Sequence, residues 1–116
     1  MKEVFEWAAK MPVAATVTNA AGEIVYMNDK SDATFASDGG REGLVGKNIY
    51  DCHGENSRQK LDEIIEQKSL NCYTIEKKGV RKMIYQTPYF SESGEYLGLV
   101  ELSLEIPGDM PHFKRD

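Results

Sequence analysis

Cysteine and histidine are scarce in this chain, two of each among 116 residues. Two thiols do not make a disulfide framework, so reduced cysteines are the expectation. A structural zinc site needs about four ligands at recognisable spacing. Cys52, His53, Cys72 and His112 show no such spacing, and no metal site is expected from them. Long apolar runs are missing too, which excludes a membrane-spanning helix from the reading. The N-terminal stretch "MKEVFEWAAK" alternates charge with apolar groups and lacks the apolar block of a signal peptide. A cytoplasmic location follows as the expectation. Excess positive charge is also lacking: 14 Lys and Arg face 19 Asp and Glu, for a net charge of −5. With both signs interspersed and no basic patch, a nucleic-acid-binding surface is not expected. Only four prolines occur, two of them in the tail "PGDMPHFKRD". There is no internal repeat, low-complexity segment or linker.

What is present fits one compact domain, 1–116, with its core at about 11–107 and a loosely attached tail at 108–116. The hydrophobic content is 41% and the charged content 28%, enough for one core and too ordered a mixture for disorder. "KEVFEWAAKM" sets Val4, Trp7, Ala8 and Met11 on one helical stripe, and Pro12 ends that helix. "VAATVTN" and "EIVYMN" read as two strands joined by a turn at "NAAGE", a hairpin from Val13 to Asn28. "DKSDATFAS" reads as a short helix capped by Asp29 or Ser31, and "DGGREG" as loop. "NSRQKLDEIIEQ" is the clearest helix. Asn56 can cap it, Gln59 can reach back, and Leu61, Ile64 and Ile65 form its buried stripe. Three strand signals follow, "CYTIEKK", "VRKMIYQTPYF" and "EYLGLVELSL", punctuated by Gly79 and "SESGE". The order predicts an α+β fold: a five-stranded antiparallel sheet, helices gathered on one face, and a helix at the N-terminus.

That order, with "MPVAATVTNAAGEIVYMN", "LVGKNIYD" and "MIYQTPYFSESGEYLGLVELSLEI" at the expected spacing, resembles the PAS domain over about residues 11–107. A narrower likeness joins "CHGENSRQKLDEI" to "GEYLGLVE" and is similar to the PAS subgroup with a Cys-His-Pro-type element, often fused to hemerythrin-like domains. Gly54 stands here where that element has Pro, and Glu105-Ile106-Pro107 where many PAS domains end in Asp-Ile-Thr. The resemblance implies a sensory and dimerising module rather than an enzyme. Its sheet would curl around a pocket closed by the central helices.

In light-sensing PAS domains a reactive cysteine forms the flavin adduct. Ile49 occupies that position in "GKNIYDCH", which argues against flavin photochemistry, and nothing else calls for flavin. In oxygen-sensing haem PAS domains the iron ligand comes from the middle of the long helix, where this chain has Leu61. Haem would therefore need His53 as its ligand, with Met27 or Met83 offering sulfur. Strand alternation places Leu97, Leu99, Glu101 and Ser103 on one face, and Val100, Leu102 and Leu104 on the other. The second set suits packing against Val4, Trp7 and Ala8, which would turn Glu101 into the pocket; the alternative is an edge-exposed carboxylate with its head in water. A carboxylate in the pocket needs a partner. His53 or the Tyr85 hydroxyl is the expected one, and pairing with His53 would raise that imidazole's pKa. Cys52 beside His53 invites a thiolate nucleophile, but adjacent residues rarely face each other and no oxyanion or phosphate motif is present.

The sequence therefore points to a non-enzymatic signalling module that binds a small molecule through Ile49, Tyr50, His53, Tyr85 and Glu101 and forms a homodimer. Ile49 and Tyr50 would be apolar walls and the other three polar anchors. A protein–protein module with an empty pocket, or a haem-binding gas or redox sensor using His53, are the alternatives. The cofactor, the ligand and the signalling partner are not named by these residues.

Overall fold

A computed structural model of the chain describes residues 2–49, 55–67 and 69–116, with side chains described from residue 5 onward except at 55–58 and 61. Five strands form one antiparallel sheet: β1 (Ala14–Asn19), β2 (Ile24–Met27), β3 (Asn71–Lys77), β4 (Val80–Phe90) and β5 (Tyr96–Glu105). Their spatial order is β2-β1-β5-β4-β3. The first hairpin and the last three strands form where the runs of β-branched and aromatic residues predict them. Helices α1 (Lys2–Lys10), α2 (Asp29–Thr34), α3 (Gly40–Leu44) and α4 (Glu55–Gln67) complete the described fold. No described helix is long and apolar enough to cross a membrane.

The turns follow from local chemistry. Asn19 Oδ1 accepts from the backbone N–H groups of Ala21 and Glu23, which bends the chain between β1 and β2. Between β3 and β4, Lys77 pairs with Val80, so the loop is only Lys78 and Gly79. Both have positive φ, 52° and 80°, as a two-residue loop matching the strand twist requires.

Three local expectations are corrected. The cap of α2 is Asn28, one residue before the pair expected, and its Oδ1 accepts from Ser31 N at 2.9 Å. "DGGREG" is not loop. A 3-10 turn covers Ala36–Asp38 and α3 begins at Gly40, because Asp32 Oδ1 reaches across from α2 to accept from Arg41 N at 2.6 Å. Among the described residues the long helix covers Glu55–Gln67, which puts Asn56 within it rather than before it.

The apolar centre lies between the inner sheet face and the helices. Ile24, Met27, Ile49, Ile64 and Leu99 are buried together, with Phe35, Leu44 and Ile65 packed against them. The expected stripe of α4 is thus present at Ile64 and Ile65, while the Leu61 side chain lies outside the described residues.

Helix α1 departs from its predicted packing. Trp7 is 65% exposed and Phe5 58% exposed, so these rings do not cover the β5 face within the chain. The helix is instead held at its end. Ala8 O accepts from Asn28 Nδ2 at 2.9 Å, and Lys10 Nζ meets Asp29 Oδ2 at 2.8 Å.

Candidate functional site

The strand register puts one line of residues across the whole inner face. Met27 pairs with Thr16, Thr16 with Glu101, Glu101 with Gln86, and Gln86 with Asn71. Directly paired residues of antiparallel strands share a face. Glu101 therefore points inward beside Leu99, as strand alternation predicts. It lies in the same cavity wall as Ile49, which is only 8% exposed.

That cavity measures about 420 Å³ and is lined by Thr16, Ile24, Met27, Phe35, Asp38, Leu44, Lys47, Ile49 and Glu101. A smaller recess of about 60 Å³ adjoins it, sharing Thr16, Ile49 and Glu101 and adding Thr18, Gln86, Leu99 and Val100. Its floor is the sheet. Its far wall comes from Phe35 after α2, from Leu44 of α3, and from Lys47 and Ile49 in the chain that follows.

A directional hydrogen-bond relay runs along the polar part of the line. Asn71 Nδ2 donates to Gln86 Oε1 at 2.7 Å, and Gln86 Nε2 donates to Glu101 Oε1 at 2.7 Å. An ionised carboxylate only accepts, so Gln86 must turn its amide N–H to Glu101 and its carbonyl to Asn71. On the other side, Thr16 Oγ1 and Ser31 Oγ are 2.6 Å apart, with Ser31 fully buried at the start of α2. Tyr73 stands on the same face as Gln86 and Ile84. Burial pushes its phenol pKa up, and the negative charge of Glu101 adds to the rise.

Of the five residues expected in the pocket, the structure brings two together, Ile49 and Glu101. Tyr85 does not join them. It pairs with Leu102 and Cys72, which sets it on the opposite face of the sheet, and the hydrogen-bond donor to Glu101 is Gln86 instead. Tyr50 and His53 lie outside the described residues, as does Cys52. Met83 pairs with Leu104 on the outer face, whereas Met27 lines the cavity. Residues that sequence reasoning missed are Thr16, Gln86 and Asn71. The signal for them was positional only, since each is polar in the middle of a strand and in register with Glu101.

No family model and no curated protein matches the chain. Solved structures do match. The PAS domain of a Colwellia psychrerythraea protein superposes with a TM-score of 0.64 at 15% identity, covering 90% of this chain and 95% of that one. A sensory box sensor histidine kinase from Vibrio cholerae gives 0.64 at 17% identity, covering 91% and 89%. The Aer2 receptor from Vibrio cholerae, a dual PAS-haem oxygen sensor, gives 0.57 at 19% identity, covering 82% and 95%. At these identities the likeness establishes the fold: the chain has a PAS-like fold, with a five-stranded antiparallel sheet and helices.

The haem belongs to that receptor. In this chain the described cavity lining contains neither histidine nor cysteine. Its one soft donor is Met27, 2% exposed within the apolar cluster, and its remaining donors are hydroxyl, carboxylate, amide and ammonium groups. His53, the expected haem ligand, lies outside the described residues.

Proposed function

We propose that this chain is a sensory signalling module, regulatory rather than catalytic, that binds a small organic molecule between its sheet and its helices. The observation that carries the reading is the cavity of about 420 Å³, walled by apolar side chains and entered by one oriented carboxylate, Glu101. Ligand sites combine an apolar enclosure with a few fixed polar groups in this way. Binding would alter the contacts of α2 and α3 with the sheet, and α1 is tied to α2 through Asn28 and Asp29. The sensor-kinase and receptor neighbours support the signalling part of the proposal by their fold.

The protein is also proposed to form homodimers. The outer sheet face carries Val100, Leu102 and Leu104, none of them fully buried, and α1 leaves Phe5 and Trp7 exposed nearby in sequence to its own docking point. Apolar area of this kind marks interaction surfaces.

Native mass spectrometry of protein purified from cells, with an absorption spectrum of the same sample, tests the ligand reading. A retained mass that is lost on denaturation, with amide shifts at Thr16, Ile49 and Glu101 when it is added back, is the expected result. A Soret band lost in His53→Ala would replace the colourless ligand by haem. No retained mass, together with no cavity shifts across a fragment library, would leave the outer face as the functional surface.

A further inference from the structure

The cavity contains a chemical asymmetry that bears on what it holds. Among the described residues two carboxylates line it, Glu101 on the sheet and Asp38 at the end of the 3-10 turn, against one ammonium, Lys47. Lys47 is exposed, so its long stem can carry the charge into water. Glu101 is half-buried and its direction is set by the relay from Asn71 through Gln86. That relay occupies one carboxylate oxygen. The other accepts from no donor among the described residues, and Glu101 itself lines the cavity. Its neighbour Thr16 already shares its hydroxyl with Ser31. The rest of the described wall, Ile24, Met27, Phe35, Leu44 and Ile49, is apolar.

On this footing, which rests on the ligand-binding reading above, we infer that the cavity selects a small primary amine with an apolar body, its ammonium on Glu101 and its hydrocarbon against Phe35, Leu44 and Ile49. An ammonium brings both the donor that the free oxygen lacks and the charge opposite to the site's. Charge-assisted hydrogen bonds are about twice as strong as neutral ones, and stronger where water is excluded. A carboxylate ligand would meet Glu101 and Asp38 as like charges.

The test is a matched set of probes: 2-phenylethylamine, 2-phenylethanol and phenylacetate, titrated into the full chain and followed by amide chemical shifts. The amine is expected to bind most tightly and phenylacetate most weakly, with shifts centred on Thr16, Ile49 and Glu101. Glu101→Gln keeps an acceptor for Gln86 and should weaken the amine about tenfold or more while leaving the alcohol within about twofold. Asp38→Asn, at the exposed rim, should weaken the amine in the same sense but less, and serves if Glu101→Gln does not fold. Alcohol or phenylacetate binding as tightly as the amine would overturn the amine assignment and leave the ligand-binding reading standing. Failure of all three probes, with native mass spectrometry showing no retained molecule, would overturn both.

Discussion

Removing the Asn28 side chain should unfasten three elements at once. Asn28 is 0% exposed and makes four side-chain hydrogen bonds, all to backbone. Its Oδ1 accepts from Ala15 N in β1 and Ser31 N in α2, both at 2.9 Å. Its Nδ2 donates to Ala8 O in α1 at 2.9 Å and Val13 O before β1 at 2.8 Å. In Asn28→Ala the two N–H groups are stranded in buried surroundings, at about 1–3 kcal/mol each. The two carbonyls are only partly buried and water can reach them, so about 0.5 kcal/mol each is a fair allowance. The expected loss is therefore about 3–7 kcal/mol, well beyond the ~1 kcal/mol of an ordinary helix cap. A domain of this size has about 5–15 kcal/mol in all. The variant should unfold at a much lower urea midpoint with an unchanged slope, and its melting temperature should fall by about 10 °C or more. Asn28→Asp separates the two halves of the argument. It keeps the cap acceptor but sets a carboxylate oxygen against two carbonyls. Burial there would raise the folded-state pKa of the introduced carboxyl, so the protonated form is favoured on folding. The variant should thus be least stable above that raised pKa and recover as the pH falls below it. A loss under about 1 kcal/mol for Asn28→Ala, or an Asn28→Asp variant as stable as the parent at neutral pH, would refute the view that this amide joins α1, β1 and α2.

Four further outcomes are expected. Gly98→Ala should destabilise the fold by several kcal/mol or prevent folding, because an added Cβ overlaps the Thr18 carbonyl oxygen and comes within 2.9 Å of Tyr89 Cε1; an unchanged urea midpoint would contradict the β1–β5 contact. The Tyr73 phenol should titrate above the ordinary tyrosine value by ultraviolet difference spectroscopy, and Glu101→Gln should lower its midpoint without restoring it fully, since burial is the larger cause. Because that folded-state pKa is raised, the associated stabilisation is present below the unfolded value and is lost as the pH rises through the folded one. Asp29 should titrate below the usual carboxylate range by NMR, held down first by its hydrogen bond from Lys10 and then by Arg41; Lys10→Ala should raise the midpoint. Sedimentation should report a homodimer that Trp7→Ser combined with Leu102→Ser converts to monomer, and a monomeric parent at all concentrations would remove the dimer proposal.

Most of the sheet was legible because its signals are local. β4 spans Val80–Phe90, the same eleven residues as its run of strand formers, and Gly79 marks the turn before it by residue type. Asn28 and α3 were less legible for a shared reason. In each, a helix start is satisfied or reinforced by a side chain whose value depends on partners distant in sequence: Ala8 and Val13 for Asn28, and Arg41 for Asp32. The apolar stripe of α1 was legible as a helix, while its cover stayed open between the chain's own sheet and a partner, because periodicity predicts a face and not what lies against it.

The misplacement of Tyr85 has a geometric origin. At the β4–β5 turn Phe90 pairs with Tyr96. Carried inward without interruption, that register would set Tyr85 opposite Glu101, with its hydroxyl as the natural donor. The register slips by one residue between Tyr89 and Phe90, so Tyr89 pairs with Gly98 and Gln86 takes the place opposite Glu101. A one-residue slip exchanges the two faces of everything beyond it. It moves Met83, Tyr85 and Thr87 to the outer face and brings Ile84, Gln86 and Pro88 inward. The chemistry of the cavity changes with it, from a phenol that could both donate and accept to an amide whose direction Glu101 dictates. Gly98 lies beside this slip, packed against the Thr18 carbonyl where no side chain fits. The residue that permits the close approach of β1 and β5 is therefore adjacent to the irregularity that selects Gln86 as the partner of Glu101. Strand propensity contains neither fact, since both arise only when three strands are laid side by side.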